Sequence, residues 1–363
     1  MSEGFRETDR EAAYDVGLVN RTLNQARQDV LGELERLFRE RRRTGYGPLY
    51  DLLADYPFRE GKGLRPAICF AACRAAGGRT EQALLSATAL ELFHNAFLVH
   101  DDVEDASEFR RGKVTMLQAH GAPVAINVGD ATNVLALEPL LGNTARIGVR
   151  KALLVFREVE RMARESAEGQ AIELDWIAQG RFDLGDRDYT RMAYKKTCWY
   201  TVIAPLRIGV ICGSPPGPLA PLEDELMPLI ELGFLAGIAF QIHYDLLNLQ
   251  ADEGLYGKET SGDLWEGKRT VMLLHFIRTA SKSARERALR MLRTPRRRKR
   301  LGDVRWLLRA MTENGSLHYG RSVAVKYCER ALRVDARGLP LLLENDDRRF
   351  LREMLRYVID RAK

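Results

Sequence analysis

The spacing of apolar residues constrains the fold of this 363-residue chain more than any other feature of its sequence. Long stretches carry apolar side chains at positions i, i+3, i+4 and i+7, which is the period of an amphipathic α-helix. The clearest stretches span residues 81–105, 146–180, 222–252, 270–293 and 339–362. Alternating patterns typical of strands are scarce. The sequence therefore predicts an all-α fold.

The positions of helix breakers indicate one domain rather than two. Gly and Pro residues cluster at Gly77-Gly78, between Gly213 and Pro221, and at Pro295, where short loops would join antiparallel helices. No Pro- or Ser-rich linker divides the chain, and no repeat of solenoid period stands out. We therefore predict a single large helical bundle over residues 1–363, whose first 12 or so residues are polar and poorly ordered.

Composition and charge exclude several classes of protein. With 45% hydrophobic and 29% charged residues, the chain is typical of a globular protein and not of a disordered one. The net charge of +6 is a small surplus spread along the chain apart from Arg296 to Arg300, a run interpreted as solvated surface, so no nucleic-acid partner is expected. The N-terminus lacks the apolar core of a secretory signal, and no segment reaches ~18 uninterrupted apolar residues. A cytoplasmic location without stable membrane insertion is predicted.

Carboxylates cluster where the helix predicted over residues 81–105 ends. At about 100° per residue, Asp101 and Asp105 lie about 40° apart on one helix face, with Asp102 beside them. Crowded against an apolar stretch, such carboxylates resist ionisation unless a cation is present. Their hard oxygen donors suit Mg²⁺, which typically also takes waters and phosphate oxygens of a substrate. The cluster predicts a metal site, with an acidic helix end on the surface as the alternative.

Cationic side chains follow this cluster within one short loop, since Arg110, Arg111 and Lys113 surround Gly112. Metal ions could bridge a diphosphate to the carboxylates while guanidinium groups bind its remaining oxygens bidentately. A salt-bridge network would use the same residues. It would not, however, require a second acidic helix elsewhere in the chain.

A second acidic helix with a basic sequel does occur. With Tyr244 placed at 0°, Asn248 falls near 40°, Asp252 near 80° and Asp245 near 100°, all by the helical period of about 100° per residue. Three cations follow in a glycine-containing segment: Lys258, Lys268 and Arg269. Two such segments facing each other across a bundle would form opposite walls of one site for metal ions and a diphosphate.

Five motifs in this order resemble those of the trans-prenyl diphosphate synthases. They are GKGLRP at 61–66, DDVED at 101–105 followed by RRG, EGQAIELDW, YKKTCWYT, and FQIHYD with GDLWEGKRT. The resemblance covers roughly residues 45 to 330 and, in HNAFLVHDDVED, GAPVAINVGD and DLLNL, is most like the geranylgeranyl diphosphate synthases. It implies the helical bundle of isoprenoid synthases with a central active-site cavity. It also implies a homodimer, which would cover apolar helix faces that a long bundle leaves exposed.

The resemblance further implies a reaction and roles for single residues. The reaction is the Mg²⁺-dependent condensation of isopentenyl diphosphate with an allylic diphosphate to a short-chain product, C20 by the closest likeness. Two or three Mg²⁺ ions would be coordinated or oriented by Asp101, Asp102 and Asp105, with Asp245 and Asn248 on the opposite wall. Isopentenyl diphosphate would bind Lys62, Arg65, His94 and Arg111. The allylic diphosphate would contact Arg110 and Lys258, with Lys268 as a basic lid. Lys196, Thr197 and Gln241 would lie near the reacting carbon.

The second acidic segment departs from the family pattern. It reads YDLLN where the family usually has DDxxD or DDxxN, so Tyr244 stands in place of the first aspartate. A neutral phenol is a poor Mg²⁺ ligand. Three outcomes stay open: the third metal ion is lost, it is held by Asp245 and Asn248, or it is recruited differently.

Two alternative functions follow from these features. A terpene cyclase of the same fold would ionise a prenyl diphosphate without isopentenyl diphosphate, and Tyr244 favours it. The residues of the isopentenyl diphosphate pocket favour the transferase instead, because a cyclase has no use for a second diphosphate site. A regulatory subunit without activity of its own is the other alternative, and the intact first motif argues against it. No protein base is evident, and the resemblance implies that the departing diphosphate accepts the proton.

Phe97 is a candidate for the floor of the product cavity. It precedes Asp101 by four residues, which places it one turn, about 6 Å, along the same helix face. A prenyl tail that grows away from the diphosphate along this face would meet the aromatic ring. Simple packing of Phe97 in the core is the alternative.

Overall fold

Helices form almost all of the described chain, which confirms the all-α prediction. The computed structural model describes residues 14–215, 219–250, 261–339 and 341–360. The helices before the middle of the chain are α1 (Val16–Thr44), α2 (Gly47–Phe58), α3 (Leu64–Ala75), α4 (Thr80–Glu104), α5 (Met116–His120), α6 (Ala122–Leu135), α7 (Leu137–Ile147) and α8 (Val149–Ala178). A two-stranded antiparallel hairpin, β1 (Phe109–Arg110) and β2 (Lys113–Val114), follows α4.

The second half continues the helical pattern and includes one π-helix. Its elements are α9 (Asp186–Ala193), the π-helix Tyr194–Ile203, α10 (Ala204–Gly213), α11 (Leu219–Glu225), α12 (Pro228–Gln250), α13 (Gly262–Glu266), α14 (Val271–Thr279), α15 (Lys282–Leu292), the 3₁₀ turn Arg296–Arg298, α16 (Leu301–Glu313), α17 (Ser316–Ala336) and α18 (Asp346–Asp360). The predicted disorder of residues 1 to 12 lies outside the described residues.

Side-chain caps divide two of the stretches predicted as continuous helices. The stretch 270–293 breaks at Ser281, whose hydroxyl accepts a hydrogen bond from the backbone N–H of Ala284 and begins a new helix. In the last stretch, the Asn345 side chain accepts from the N–H of Arg348, and α18 begins only after it. Periodicity alone missed both breaks because the apolar pattern runs through them.

The hydrophobic core has two adjoining parts. One is built mainly from α1, α3, α4, α6, α8 and α10, and the other from the π-helix, α12 and the helices between α13 and α17. Helices α3 and α10 are buried along nearly their whole length. All five cysteines are buried and free, and burial raises the pKa of Cys73 to about 12, in keeping with a packing role. The site lies where the two parts of the core meet.

One described stretch, Leu222–Gln250, is long and apolar enough to cross a membrane by length and composition. Most of its apolar window is buried against other helices. A core helix passes the same test, so this stretch is weak evidence for a membrane span.

Candidate active site

A basic residue that follows the second acidic segment meets the first acidic segment at the carboxyl end of α4. Lys268, which follows α13, places its Nζ 2.7 Å from Oδ2 of Asp105. Lys196, on the π-helix, places its Nζ 3.5 Å from Oδ1 of Asp101. Cations from two distant parts of the chain therefore converge on Asp101 and Asp105, which share one side of the helix end. These two residues are here called the first pair of carboxylates.

The first pair of carboxylates is held in a strained electrostatic environment. Burial raises the pKa of Asp105 to about 7, although the ammonium of Lys268 acts in the opposite direction. Burial alone would lower the pKa of Lys268, but the carboxylates of Asp105 and Glu266 raise it well above its ordinary value. Lys268 also contacts Glu266 at 2.9 Å. The cluster thus holds buried acids that are balanced by buried ammonium groups.

Asp102 has different surroundings from its two neighbours. It is fully buried, and the hydroxyl of Tyr56 donates to its Oδ2 at 2.6 Å. Arg110 Nε donates to its Oδ1 at 2.9 Å, and Nη2 forms a further short contact. The same Nη2 lies 3.1 Å from Asp101 Oδ2. Asp102 is therefore engaged with α2 and the β-hairpin, which favours orientation of the site over direct coordination of a metal ion.

The oxygen donors on α12 are also engaged in protein hydrogen bonds. Tyr189 donates to Oδ2 of Asp245 at 2.8 Å, and Gln241 donates to its Oδ1 at 2.6 Å. Asn248 accepts from the backbone N–H of Asp263 at 3.0 Å. Burial raises the pKa of Asp245 to about 6, although the hydrogen bonds from Tyr189 and Gln241 act in the opposite direction. The second wall thus presents fewer free oxygens than the sequence suggested.

Thr197 and Gln241 lie side by side, as their shared predicted role requires. The Thr197 hydroxyl donates to Gln241 Oε1 at 2.7 Å, and Gln241 Nε2 donates in turn to Asp245. Lys196 precedes Thr197 on the same π-helix. The three residues predicted near the reacting carbon therefore form one edge of the site between the two acidic segments.

Glu173 on α8 is a site residue that the sequence reasoning did not assign. It is buried and forms a short ion pair with Lys196. Burial acts to raise its pKa, but the ammonium groups of Lys196 and Lys268 lower it below the ordinary value. The signal was present in the EGQAIELDW motif, where a glutamate falls within an apolar stretch, but only the tertiary structure shows which lysine it faces.

The π-helix is packed closely on both sides, which fixes its position. A Cβ added to Gly169 of α8 would lie 2.1 Å from the backbone nitrogen of Lys196, and one added to Gly237 of α12 would lie 2.6 Å from Sγ of Cys198. Only glycine permits such close approaches. π-Helical turns are frequent at functional sites because they displace side chains from the ordinary helical register.

Four further predicted residues gather in a second pocket beside the carboxylates. Arg65 and His94 both lie against the ring of Tyr200, with the guanidinium 4.3 Å from its centroid and the imidazole ring stacked at 5.9 Å. Arg111 Nη2 is 3.5 Å from His94 Nε2, and Lys62 Nζ is 5.8 Å from the centroid of the Tyr244 ring. The structure thus brings together the residues predicted to bind isopentenyl diphosphate.

This second pocket is rich in positive charge and poor in acceptors. Arg65 Nε and His94 Nδ1 are buried without a hydrogen-bond partner. Burial lowers the pKa of Arg111, the carboxylate of Glu91 acts in the opposite direction, and the neighbouring Arg110 and Arg65 lower it further. Burial, followed by the charges of Arg65 and Arg111, also lowers the pKa of His94 well below its ordinary value, so its ring is neutral. A cluster of cations with buried nitrogens that lack a hydrogen-bond partner fits an anionic ligand.

Phe97 and Tyr244 face this second pocket. The Phe97 ring meets Tyr200 edge to face at 5.8 Å and is half-buried. The Tyr244 ring packs on Phe240 with centroids 4.3 Å apart, and burial raises the pKa of its hydroxyl to about 12. Tyr244 therefore stays neutral and adjoins Lys62. Lys258, predicted to contact the allylic diphosphate, lies outside the described residues.

The donor set fits Mg²⁺ better on the first wall than on the second. Asp101 and Asp105 supply carboxylate oxygens, and Mg²⁺ commonly binds one or two carboxylates together with waters and substrate phosphates. Among the residues that the structure describes, no group of three or more His, Cys, Asp or Glu side chains forms a metal site by itself. Phosphate oxygens of a substrate would have to complete the coordination.

Known proteins match this chain over most of its length. A family model described as polyprenyl synthetase matches residues 48–311, which include every predicted site residue. A short chain isoprenyl diphosphate synthase of Methanothermobacter thermautotrophicus is 32% identical over 304 residues, which cover 83% of this chain and 86% of that protein. A geranylgeranyl pyrophosphate synthase of Geoglobus acetivorans is 30% identical over 332 residues, which cover 91% and 95%.

A solved structure shares the fold. The polyprenyl synthase of Caulobacter crescentus, complexed with calcium and isoprenyl diphosphate, aligns with a TM-score of 0.81 at 26% identity, covering 97% of this chain and 100% of that chain. The similarity therefore extends over both walls of the site and over the helices that carry them.

Proposed function

The chain belongs to the polyprenyl synthetase family and is a prenyltransferase, and we propose that it condenses isopentenyl diphosphate with an allylic diphosphate to give a C20 prenyl diphosphate. The pocket formed by Lys62, Arg65, His94 and Arg111 carries this proposal. It gathers the cations of Lys62, Arg65 and Arg111, with unpartnered buried nitrogens on Arg65 and His94, next to a separate carboxylate cluster. Such a pair of subsites supports the binding of two diphosphates in one cavity.

Each subsite has a distinct chemical task in this reaction. Near the carboxylates, Lys196 and Lys268 stabilise the charge that develops as the allylic diphosphate departs. In the second pocket, the Arg65 and Arg111 guanidinium groups hold isopentenyl diphosphate so that its double bond faces the allylic carbon. The bond between the allylic carbon and the diphosphate oxygen breaks first, which leaves an allylic cation, and the double bond then attacks that carbon. A proton then leaves the condensed cation, and the departing diphosphate accepts it.

Asp101 and Asp105 are the residues that would hold Mg²⁺, and Asp102 would orient them through Arg110. When bound, Mg²⁺ neutralises the diphosphate and makes it a better leaving group. The complex of the Caulobacter crescentus enzyme with calcium and isoprenyl diphosphate supports the binding of a divalent ion together with a diphosphate. The number of ions, two or three, stays a prediction.

The terpene cyclase receives no support from the relatives described above, whose names are those of prenyl diphosphate synthases. Incubation of the purified chain with Mg²⁺, isopentenyl diphosphate and each allylic diphosphate in turn tests the choice. A transferase gives longer prenols after phosphatase treatment. Hydrocarbons formed from an allylic diphosphate alone would identify a cyclase, and inactivity of the chain alone would point to a regulatory subunit.

Phe97 is the residue proposed to limit the product to C20. Its contact with Tyr200 places the ring beside the pocket for isopentenyl diphosphate, on the helix that also ends in the carboxylates. We expect Phe97→Ala to lengthen the main product by at least one isoprene unit, measured by chromatography of the prenols. Leu98→Ala, the next residue on the same helix, is the matched control. An unchanged product with retained activity in Phe97→Ala would place the floor elsewhere.

A homodimer is proposed from an exposed apolar surface on α6 to α8. Its side chains are Ile126, Val134, Leu137, Leu141, Val149, Leu153 and Phe156. Leu141 and Leu153 are 66% and 60% exposed, which is unusual for neighbouring leucines on a globular protein. Sedimentation should give twice the mass of the 41.1 kDa chain, and Leu141→Glu should shift it toward the monomer. A species of 41.1 kDa alone would contradict the proposal.

The organisation as a single catalytic domain and the cytoplasmic location remain proposals. The two parts of the core adjoin one another, which supports one domain. Limited proteolysis that releases one compact fragment, with no stable second fragment, would agree with it.

A further inference from the structure

Positive charge is concentrated in one pair of helices at the edge of the molecule. Residues 281–313, here called the basic hairpin, comprise α15, the 3₁₀ turn and α16. They hold 12 Lys and Arg residues but only three acidic ones, Glu286, Asp303 and Glu313. Because the whole chain has a net charge of +6, the rest of the chain is net negative. The basic hairpin therefore accounts for the basic character of the protein.

The arginines of the basic hairpin are turned outward. Ala288, Met291 and Leu307 pack into the core, whereas four arginines are exposed: Arg293, Arg297, Arg298 and Arg300. Within the ranges that the structure describes, these four form no ion pair. The sequence-based interpretation as solvated surface explains their exposure. It does not explain why their charge is left without acidic neighbours, an arrangement that attracts polyanions.

The basic hairpin is fixed to the rim of the active site. Arg296 Nη1 lies 3.3 Å from Glu266, which in turn contacts the site residue Lys268. Lys299 Nζ donates to the backbone carbonyl of Leu264 at 3.1 Å. The exposed arginines are thus a few residues from a segment that forms one side of the cavity mouth.

Exposed apolar side chains share this rim. A small pocket that opens to solvent is lined by Arg296 from the basic hairpin and by Phe109 from the β-hairpin. Phe109 is 47% exposed, and Leu301, directly after the run of arginines, is 51% exposed. Aromatic and aliphatic side chains beside arginines are typical of surfaces that lie in the interface of a bilayer.

We infer that the basic hairpin and Phe109 bind the surface of a bilayer that contains anionic phospholipids, without insertion into its interior. Guanidinium groups bind phosphate bidentately, and each basic residue near an anionic leaflet strengthens attachment. Phe109 and Leu301 enter the headgroup region. The inference rests on the proposed function in one respect, the nature of the product. A C20 diphosphate is an amphiphile. Binding through this surface places the mouth of the cavity at the bilayer, which the product can then enter.

Co-sedimentation of the full chain with vesicles tests the inference without any need for activity. We expect binding to vesicles with about one-third phosphatidylglycerol, no binding to pure phosphatidylcholine, and weaker binding as salt is raised. The variant R297Q/R298Q/R300Q should bind the anionic vesicles about a hundredfold more weakly. The matched control R39Q/R43Q/R337Q removes three exposed arginines elsewhere and should bind as the parent does.

Apolar contact separates lipids from other polyanions. F109S/L301S should weaken binding to anionic vesicles severalfold and leave binding to double-stranded DNA unchanged. Absence of binding to the anionic vesicles, equal binding by R297Q/R298Q/R300Q, or binding to DNA alone would overturn the inference. Condensation measured in detergent solution reports on the proposed function separately, so either can fail while the other holds.

Discussion

The two acidic segments look alike in the sequence but do different things in the structure. At the end of α4, Asp101 and Asp105 are balanced by the ammonium groups of Lys196 and Lys268. On α12, Asp245 and Asn248 are tied to neutral protein donors, and Tyr244 has no carboxylate at all. An ammonium group can move aside when a metal ion arrives, whereas a buried network of neutral hydrogen bonds must be broken. Metal binding should therefore depend mainly on the first segment.

The largest expected effect is the loss of either carboxylate of the first pair. Asp101→Ala or Asp105→Ala should lower kcat at least about a thousandfold, because the transition state loses several kcal/mol of charge stabilisation. The fold should persist, since Glu266 and Glu173 still pair with Lys268 and Lys196 when either carboxylate is removed. Steady-state rates and thermal unfolding of the purified variants measure the two quantities.

Glu104 provides the control for this comparison. It is on the same helix end but exposed, with its carboxylate accepting from Gln170. Glu104→Ala should retain the rate within a few-fold. Near-normal activity of Asp101→Ala or Asp105→Ala would break the comparison, because the first wall would then not be the one that holds the metal.

Replacement of Arg110 should lower the free energy of unfolding more than replacement of any residue of the second acidic segment. Arg110→Gln leaves Asp102 buried without its charged partner, and breaking such a pair costs about 3 kcal/mol or more. The free energy of unfolding, measured with urea, should fall by about that amount. A double variant with Asp102→Asn should recover part of the loss, because the uncompensated charge is removed. No loss of stability in Arg110→Gln would mean that the pair does not hold the hairpin.

Arg111, the next residue, should show the opposite behaviour. Its guanidinium faces His94 in the second pocket and has no carboxylate partner among the described residues. Arg111→Gln should raise the KM for isopentenyl diphosphate about a hundredfold, because charged hydrogen bonds to phosphate contribute about 1.5–3 kcal/mol each. The KM for the allylic diphosphate and the unfolding free energy should change little. An equal rise in both KM values would mean that the pockets are not separate.

The smallest effect is expected at Tyr244, where the second segment lacks its carboxylate. Tyr244→Asp should lower the Mg²⁺ concentration required for half-maximal rate by about tenfold, equivalent to about 1.4 kcal/mol. Tyr244→Phe is the control and should change neither the rate nor the Mg²⁺ requirement. If Tyr244→Asp also leaves the rate and the Mg²⁺ requirement unchanged, residue 244 lies outside the coordination shell of the metal. The two walls would then differ more than proposed.

Helical periodicity predicted the positions of these residues but not their partners. The helix at 81–105 is α4 almost to the residue, because its apolar pattern and its acidic end are both local properties. The phenol that binds Asp102 belongs to Tyr56, 46 residues away on another helix. An angle around one helix says nothing about what packs against it. The three carboxylates therefore looked equivalent in the sequence although one of them serves the structure.

Glu173 is a second residue whose tertiary partner could not be predicted from helical periodicity. It is in a motif that was noticed, yet its role depends on Lys196 facing it across the close contact between α8 and the π-helix. The extra residue in each π-helical turn shifts the side chains that follow, so no projection with a fixed period could place that lysine. The charged pocket around Arg65 was predicted only through family resemblance, because its members come from three separate parts of the chain.

The Tyr56–Asp102–Arg110 network has a consequence for building chimeras of this enzyme with its relatives. One buried carboxylate joins α2, α4 and the β-hairpin, so these three pieces are inherited as one unit although Tyr56 and Asp102 are 46 residues apart in the chain. A crossover placed between residues 56 and 102 would pair a foreign α2 with the native hairpin and leave the carboxylate facing a mismatched neighbour. Crossovers before α2 and after the hairpin keep the unit whole, and libraries recombined at those boundaries should retain the largest share of folded members.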